Sequence, residues 1–287
     1  EELAWVCKNT TVENSAGVYY KVDPTIKAFD MNTVAGVDLT VDNITANDVK
    51  TAVADKILGK VWFCDAPFKG NFDGNGVTVY GLYQVSTNNA GLFSTVDGGA
   101  AFHNIALKNS YLTSTAGNYQ VGGIAAVTSS ASYGAKIYGA VWFDGCVVAN
   151  NYMKNPSTSH DRSGVMIGSS SDVVYMDNCL VYGNDATYGA GVAMPTWSCA
   201  YNSAIVSDDF VAPDGLVLAN DGAETARYYN KVRNSIIFGA APYDVAQTIG
   251  SRFNDPNCFE NVLTDSDPTV DIFSNGANMT VIEEQLK

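Results

Sequence analysis

Ser207-Asp208-Asp209 sets two carboxylates side by side directly after the segment around Asn202. Such a pair at a strand end can supply an acid and a base, the combination glycoside hydrolysis requires. A second cluster, His160-Asp161-Arg162-Ser163-Gly164, holds one of the 2 histidines beside an arginine. Acidic, Ser-rich stretches of this kind are also what solvated loops are made of, and that is the default reading of both. His103, in Phe102-His103-Asn104-Ile105, reads as a structural histidine at a strand start. No Gly-x-Ser-x-Gly elbow occurs. Cys7, Cys64, Cys146, Cys179, Cys199 and Cys258 form no Cys-x-x-Cys pair, so neither a zinc site nor any other metal or cofactor is expected. Aromatic residues are the other resource. Tyr119, Tyr133, Tyr152 and Tyr188 fall in turns or strand ends, where they either stack on sugars and anchor protein contacts or cap hydrophobic columns at corners.

Composition narrows the partners. Among 287 residues, 30 acidic against 16 basic side chains give a net charge of -14. That surface repels phosphate backbones and anionic bilayers, and it is poor in the cations a uronate-cleaving lyase needs. With 46% hydrophobic and 11% aromatic residues the chain can build a core, so disorder is excluded. No apolar run is long enough to span a bilayer. The chain opens at Glu1 without Met, which leads us to expect that an export signal or anchor has been removed.

The elements that must position these residues recur along the chain. Five segments share apolar-x-Asn-Ser/Cys-apolar-apolar, with Gly145 in place of Asn in one of them, and Ser110, Cys146, Cys179, Ser203 and Ser235 at the small position, 24 to 36 residues apart. A weaker copy is Phe259-Glu260-Asn261-Val262-Leu263. Gly-led pieces alternate with them: Gly122-Gly123-Ile124, Gly164-Val165-Met166, Gly189-Ala190-Gly191 and Gly215-Leu216-Val217. Self-similarity at this period marks a repeat array. Short pieces rich in Val, Ile, Tyr and Phe, punctuated by Gly, Asn, Asp and Ser, call for strands rather than helices. Coils stacked at the inter-strand spacing would pile equal positions into files. The small residues are expected in one inward file, with Cys146 and Cys179 as buried thiols. Asn109, Asn178, Asn202 and Asn234 are expected at a left-handed corner, their amides bonding from coil to coil. Whether Cys7, Cys64, Cys199 and Cys258 pair stays open.

Residues 67–94 contain Phe68-Lys69-Gly70-Asn71-Phe72-Asp73-Gly74-Asn75-Gly76 and later Gly91-Leu92-Phe93-Ser94. This resembles bacterial surface proteins with GLUG repeats, with Ser94 where Gly is usual, and the likeness extends over about 60–240. The resemblance implies a right-handed parallel β-helix at a bacterial cell surface, and it carries no catalytic residue. Read from its residues alone, Asp73-Gly74-Asn75-Gly76 is a tight turn between strands Asn71–Asp73 and Val77–Tyr80, with Gly74 and Gly76 at positive φ. Its spacing does not suit a calcium loop. Pectin-hydrolysing β-helix enzymes have an Asp-Asp pair like Asp208-Asp209, but their Gly-His-Gly and Arg-x-Lys signatures are missing here.

One helix is predicted: Thr45 caps it, Asp48 completes a capping box, Val49, Val53 and Ile57 share a face, and Gly59 stops it. It is expected over the open N-terminal end of the solenoid. Residues 17–22 and 26–29 read as strands of a first coil. The expectation is one all-β domain, a right-handed parallel β-helix (β-solenoid): 1–59 forms the N-terminal strands and capping helix, continuous with coils and a C-terminal cap over 60–287. The expected function is a non-catalytic, exported bacterial surface or adhesin-type module whose inserts, Gly117–Tyr138 and Asn150–Ser163, face a glycan or a host or bacterial surface protein. The alternative is a polysaccharide-degrading enzyme with Asp208 and Asp209 as its acid and base.

Overall fold

The computed structural model describes residues 2–32, 36–41, 43–53, 62, 64, 67–116, 119–128, 140–154, 163–164, 166–169, 173–187, 192–194, 198–201, 204–206, 217–218, 231–234, 236–238, 259–264 and 277–281. Side chains are described for most of these up to Asp185, and for Asn234. The described chain is mostly parallel β-sheet with few helices, an all-β arrangement compatible with a solenoid.

One pass of the chain runs through strands Asn71–Tyr80, Tyr83–Ser86 and Phe93–Val96. The next returns as Ala101–Lys108, Tyr111–Ser114 and Ala125–Thr128, each parallel to its counterpart, with Phe72 opposite Phe102, Tyr83 opposite Tyr111 and Phe93 opposite Ala125. Ala140–Asp144, Val147–Ala149 and Tyr152–Lys154 repeat the pattern, and so do Val173–Asp177, Leu180–Tyr182 and Asp185–Thr187. The register continues through Ser198–Tyr201, Lys231–Arg233 and Phe259–Thr264 to Ala277–Val281. Among the described residues the largest sheet has 14 strands.

Equal positions form files, because parallel strands in fixed register repeat every side chain one strand spacing further on. Phe72, Phe102, Phe143 and Met176 point inward in one file. The rings of Phe102 and Phe143 stack at 5.4 Å and 13°. Burying such files is the main stabilising term, roughly 1.5–3 kcal/mol for each large apolar side chain.

The corners correct the expected register. At the first corner Asn104, Gly145 and Asn178 take left-handed φ of 49°, 63° and 52°, and Ile105, Cys146 and Cys179 follow them inward. Cys146 and Cys179 are buried thiols donating to the carbonyls of Phe102 and Phe143. Burial pushes the Cys146 thiol well above its ordinary range. Ser110 belongs to a second corner, after Asn109 at φ 54°. Its file is Leu82, Ser110, Asn151 and Asn184. The amide ladder lies here: Asn151 Oδ1 accepts from Ser110 N at 2.8 Å, and Asn151 Nδ2 donates to Asn184 Oδ1 at 2.9 Å. Of the corner asparagines, Asn178 and Asn234 take left-handed φ (52° and 48°) and Asn178 Nδ2 donates to Asp144 Oδ1 of the preceding pass at 3.3 Å, outside this ladder, while Asn202 lies outside the described residues. Asn109 instead donates to the carbonyls of Leu39 and Val41. Ser203 and Ser235 lie outside the described residues.

Asp73–Gly76 is no turn between two strands. It kinks a single strand, with a register shift between Asp73 and Val77. Positive φ falls on Asn75 (54°) and Gly76 (83°), not on Gly74. Gly74 is required for a different reason: a Cβ there would lie 2.7 Å from the Asn104 carbonyl oxygen and 2.8 Å from Ile105 Cβ.

The predicted helix exists as Ala46–Val53, and Thr45 and Asp48 cap it reciprocally at 3.2 and 3.0 Å. Gly59 lies outside the described residues. The helix packs on a flank rather than on the N-terminal end. Val49 and Leu39 pack with Tyr111 and Tyr152 of the tyrosine stack that Tyr83 continues, and Lys50 Nζ sits 5.1 Å from the Tyr152 ring centroid. The end is covered by other elements: helices Glu2–Asn9 and Val12–Ser15, and strands Tyr19–Lys21 and Ala28–Asp30, which pair parallel with Asn71–Tyr80 as expected for a first pass.

Candidate functional site

The site assembles where those N-terminal elements meet Phe72. Leu3, Val6 and Cys7 lie at helical spacing and are buried, so helix Glu2–Asn9 docks by that face. Cys7 is bonded to Cys64, which pins the helix across a sequence separation of 57 residues. Trp5 is left on the other side, 58% exposed.

Strand Tyr19–Lys21 supplies the facing wall. Its register places Tyr19 beside Asn71 and Lys21 beside Asp73. Asp73 is the anchor of this edge. Its Oδ2 accepts from the Tyr19 hydroxyl at 2.7 Å and pairs with Lys21 Nζ at 3.0 Å, while its Oδ1 accepts from the Asn75 amide at 2.8 Å. Burial works against the charged carboxylate, but these bonds together with one from Asn104 outweigh it and lower Asp73 to about 2. The same bond to Asp73 raises both Tyr19 and Lys21. Asp73 therefore spends its acceptor capacity on protein groups of its own and the neighbouring strands. Asp23 is likewise held low by Thr25, whose hydroxyl and amide donate at 2.6 and 2.8 Å.

Between these walls lies a cavity of about 760 Å³. Trp5, Tyr19, Tyr20, Phe29 and Phe72 give it aromatic walls, and Lys21 and Asp23 mark its polar edge. Tyr20 is held by an aromatic contact to Phe68 at 5.7 Å. Concave, mostly apolar sites of this size with a few fixed polar groups are what small ligands occupy.

A second feature lies on the outer face beside the first corner. Trp142, 44% exposed, stacks on Tyr175 at 4.0 Å and 13°. The next outward file carries His103, Asp144 and Asp177, and His103 Nδ1 lies 3.5 Å from Asp144 Oδ2. A groove of about 310 Å³ runs alongside, lined in part by Asn104, Gly145, Leu180 and Tyr182. The backbone register pairs Asp177 with Tyr201, Tyr201 with Arg233 and Arg233 with Glu260.

Asp208, Asp209, His160, Arg162, Tyr133 and Tyr188 lie outside the described residues. Tyr119 is half-buried in a turn whose amide donates to the Ala116 carbonyl at 3.2 Å. Tyr152 is 4% exposed, stacked on Tyr111 and covered by the flanking helix, so it caps a column at this position. The aromatic cavity was missed because residues 1–16 carry no strand pattern; the signal available was Leu3, Val6 and Cys7 at helical spacing, with Trp5 opposite. Trp142 over Tyr175 and Asp144 over Asp177 were readable from the repeat alignment once outward positions are followed as well as inward ones. Among the described residues no group of three or more His, Cys, Asp or Glu is placed to hold a metal ion. A scan of family models found none that matches the chain, and no curated protein or solved structure matches it either.

Proposed function

We propose that the chain is a right-handed parallel β-helix acting as an exported, adhesin-type bacterial surface module that binds a glycan or a surface protein without catalysis. The aromatic-walled cavity between helix Glu2–Asn9 and strand Tyr19–Lys21 carries this reading, since exposed aromatic walls around a concavity form a recognition surface. Its hand follows from the strong preference of parallel crossovers for the right-handed path. The Cys7–Cys64 bond supports export, because such bonds persist in oxidising compartments. The resemblance of residues 67–94 to GLUG-repeat surface proteins points the same way. A glycan array and a screen of bacterial and host surface proteins test it: saturable binding is expected, and the absence of any ligand in both removes the reading.

The alternative, a polysaccharide-degrading enzyme, draws on Asp144 and Asp177 at adjacent outward positions, since paired carboxylates are what glycosidases use. Asp208 and Asp209 stay candidates for the same role. Release of reducing ends from a polysaccharide, abolished by Asp144→Asn, Asp177→Asn or Asp208→Asn, would favour the enzyme; no release from any tested polysaccharide would exclude it.

A further inference from the structure

Resting on the binding-module reading, we infer that the cavity walled by Trp5, Tyr19, Tyr20, Phe29 and Phe72 takes the end of an uncharged saccharide. Three observations select that chemistry. The first concerns the walls: Trp and Tyr present flat apolar faces with polar tips, and Phe29 and Phe72 complete them. A pyranose is amphipathic in the matching sense, with apolar C–H faces and a hydroxyl rim. A purely apolar ligand would cover the Lys21 and Asp23 edge without replacing the hydrogen bonds to water that it displaces.

Charge is the second observation. Lys21, the cation on the cavity wall, is paired with Asp73 at 3.0 Å. A uronate, sialate or phosphate would have to compete with that buried carboxylate for it, on a chain of net charge -14. Asp23 is engaged by Thr25. The polar edge thus suits hydroxyl groups better than an ionised ligand.

The edge itself is the third. An extended peptide would add to strands Tyr19–Lys21 and Ala28–Asp30, the N-terminal members of their sheet. That edge carries Lys21, Pro24 and Lys27, residues that blunt sheet edges against added strands. The bond from the Tyr19 hydroxyl to Asp73 holds the ring in place before any ligand arrives, so little ordering is left to do on binding.

Isothermal titration of the full chain with neutral oligosaccharides, against galacturonate and sialylated oligosaccharides of equal length, tests the inference. Binding of at least one neutral series is expected, weakened about tenfold by Trp5→Ala, a factor in keeping with the loss of one aromatic contact. Val41→Ala, at an exposed position outside the cavity lining, is expected to leave it unchanged. Since Trp5 is 58% exposed its truncation spares the core, and Trp5→Phe is expected to restore most of the affinity. Preference for the acidic series overturns the inference. Neutral binding that Trp5→Ala and Tyr19→Ala leave intact overturns the cavity assignment while the module reading stands. A protein ligand lost with Trp5→Ala, with no saccharide bound, overturns the saccharide and keeps the module. No ligand of either class removes both.

Discussion

Replacing Asp73 with Asn tests whether one carboxylate holds the first strand, and with it the cavity wall, onto the rest of the sheet. The Asp73 side chain is 6% exposed and its ionised form is favoured in the fold, so its pKa falls from 3.8 to about 2. That drop corresponds to about 2 kcal/mol of stability at neutral pH. Because the folded value lies below the unfolded one, this contribution is complete above about pH 4 and is lost as pH falls through about 2. Urea unfolding of both proteins from pH 7 to pH 2, followed by tryptophan fluorescence, reads it out. Asp73→Asn is expected to be less stable by about 2 kcal/mol at pH 7, with Tm lower by about 5 °C, and to converge on the parent near pH 2. Amide exchange at Val22, whose N–H bonds the Asp73 carbonyl at 2.9 Å, should quicken at neutral pH in the variant. A stability gap equal at pH 7 and pH 2 would show that shape rather than charge is lost. No gap at pH 7 would show that the network with Tyr19 and Lys21 does not hold the strand.

Gly74→Ala drives a methyl group to 2.7 Å from the Asn104 carbonyl, backbone that cannot rotate away, and is expected to cost about 1–3 kcal/mol in thermal unfolding. Gly76→Asn, at a left-handed position with open space, is expected to cost less than 1 kcal/mol, and equal costs for the two would contradict the assignment. Cys7→Ser opens a link across 57 residues and is expected to lower stability by roughly 2–4 kcal/mol and to weaken any ligand bound at Trp5. In the native protein Cys146 and Cys179 should resist a thiol reagent until the chain is unfolded, and rapid native labelling of either would contradict their burial.

Much of the internal pattern was legible because it is one-dimensional. Alternation and turn residues mark strands, and the period of the small and Gly-led positions shows that the chain returns on itself; Cys146 and Cys179 follow directly from it. Asn109-Ser110 and Asn178-Cys179 look alike locally, yet each of the described passes between Ala101 and Thr187 has two left-handed corners, and Asn109-Ser110 sits at the second while Asn178-Cys179 sits at the first. Only pairing register tells them apart. The kink at Asp73–Gly76 has the same origin: a Gly-Asn-Gly run suits a turn as well as a bulge, and the neighbouring strand decides which.

Residue order alone thus determined the strand periodicity, the helix cap at Thr45 and Asp48, the burial of the two thiols and the acidic net charge. Tertiary structure decided the rest: that Cys7 meets Cys64, that helix Ala46–Val53 covers tyrosines on a flank, and that Trp5 and Tyr19 line one cavity. The reason is physical. A local pattern states which side of an element is apolar, but which of several apolar surfaces it covers depends on the relative areas they bury once all are present.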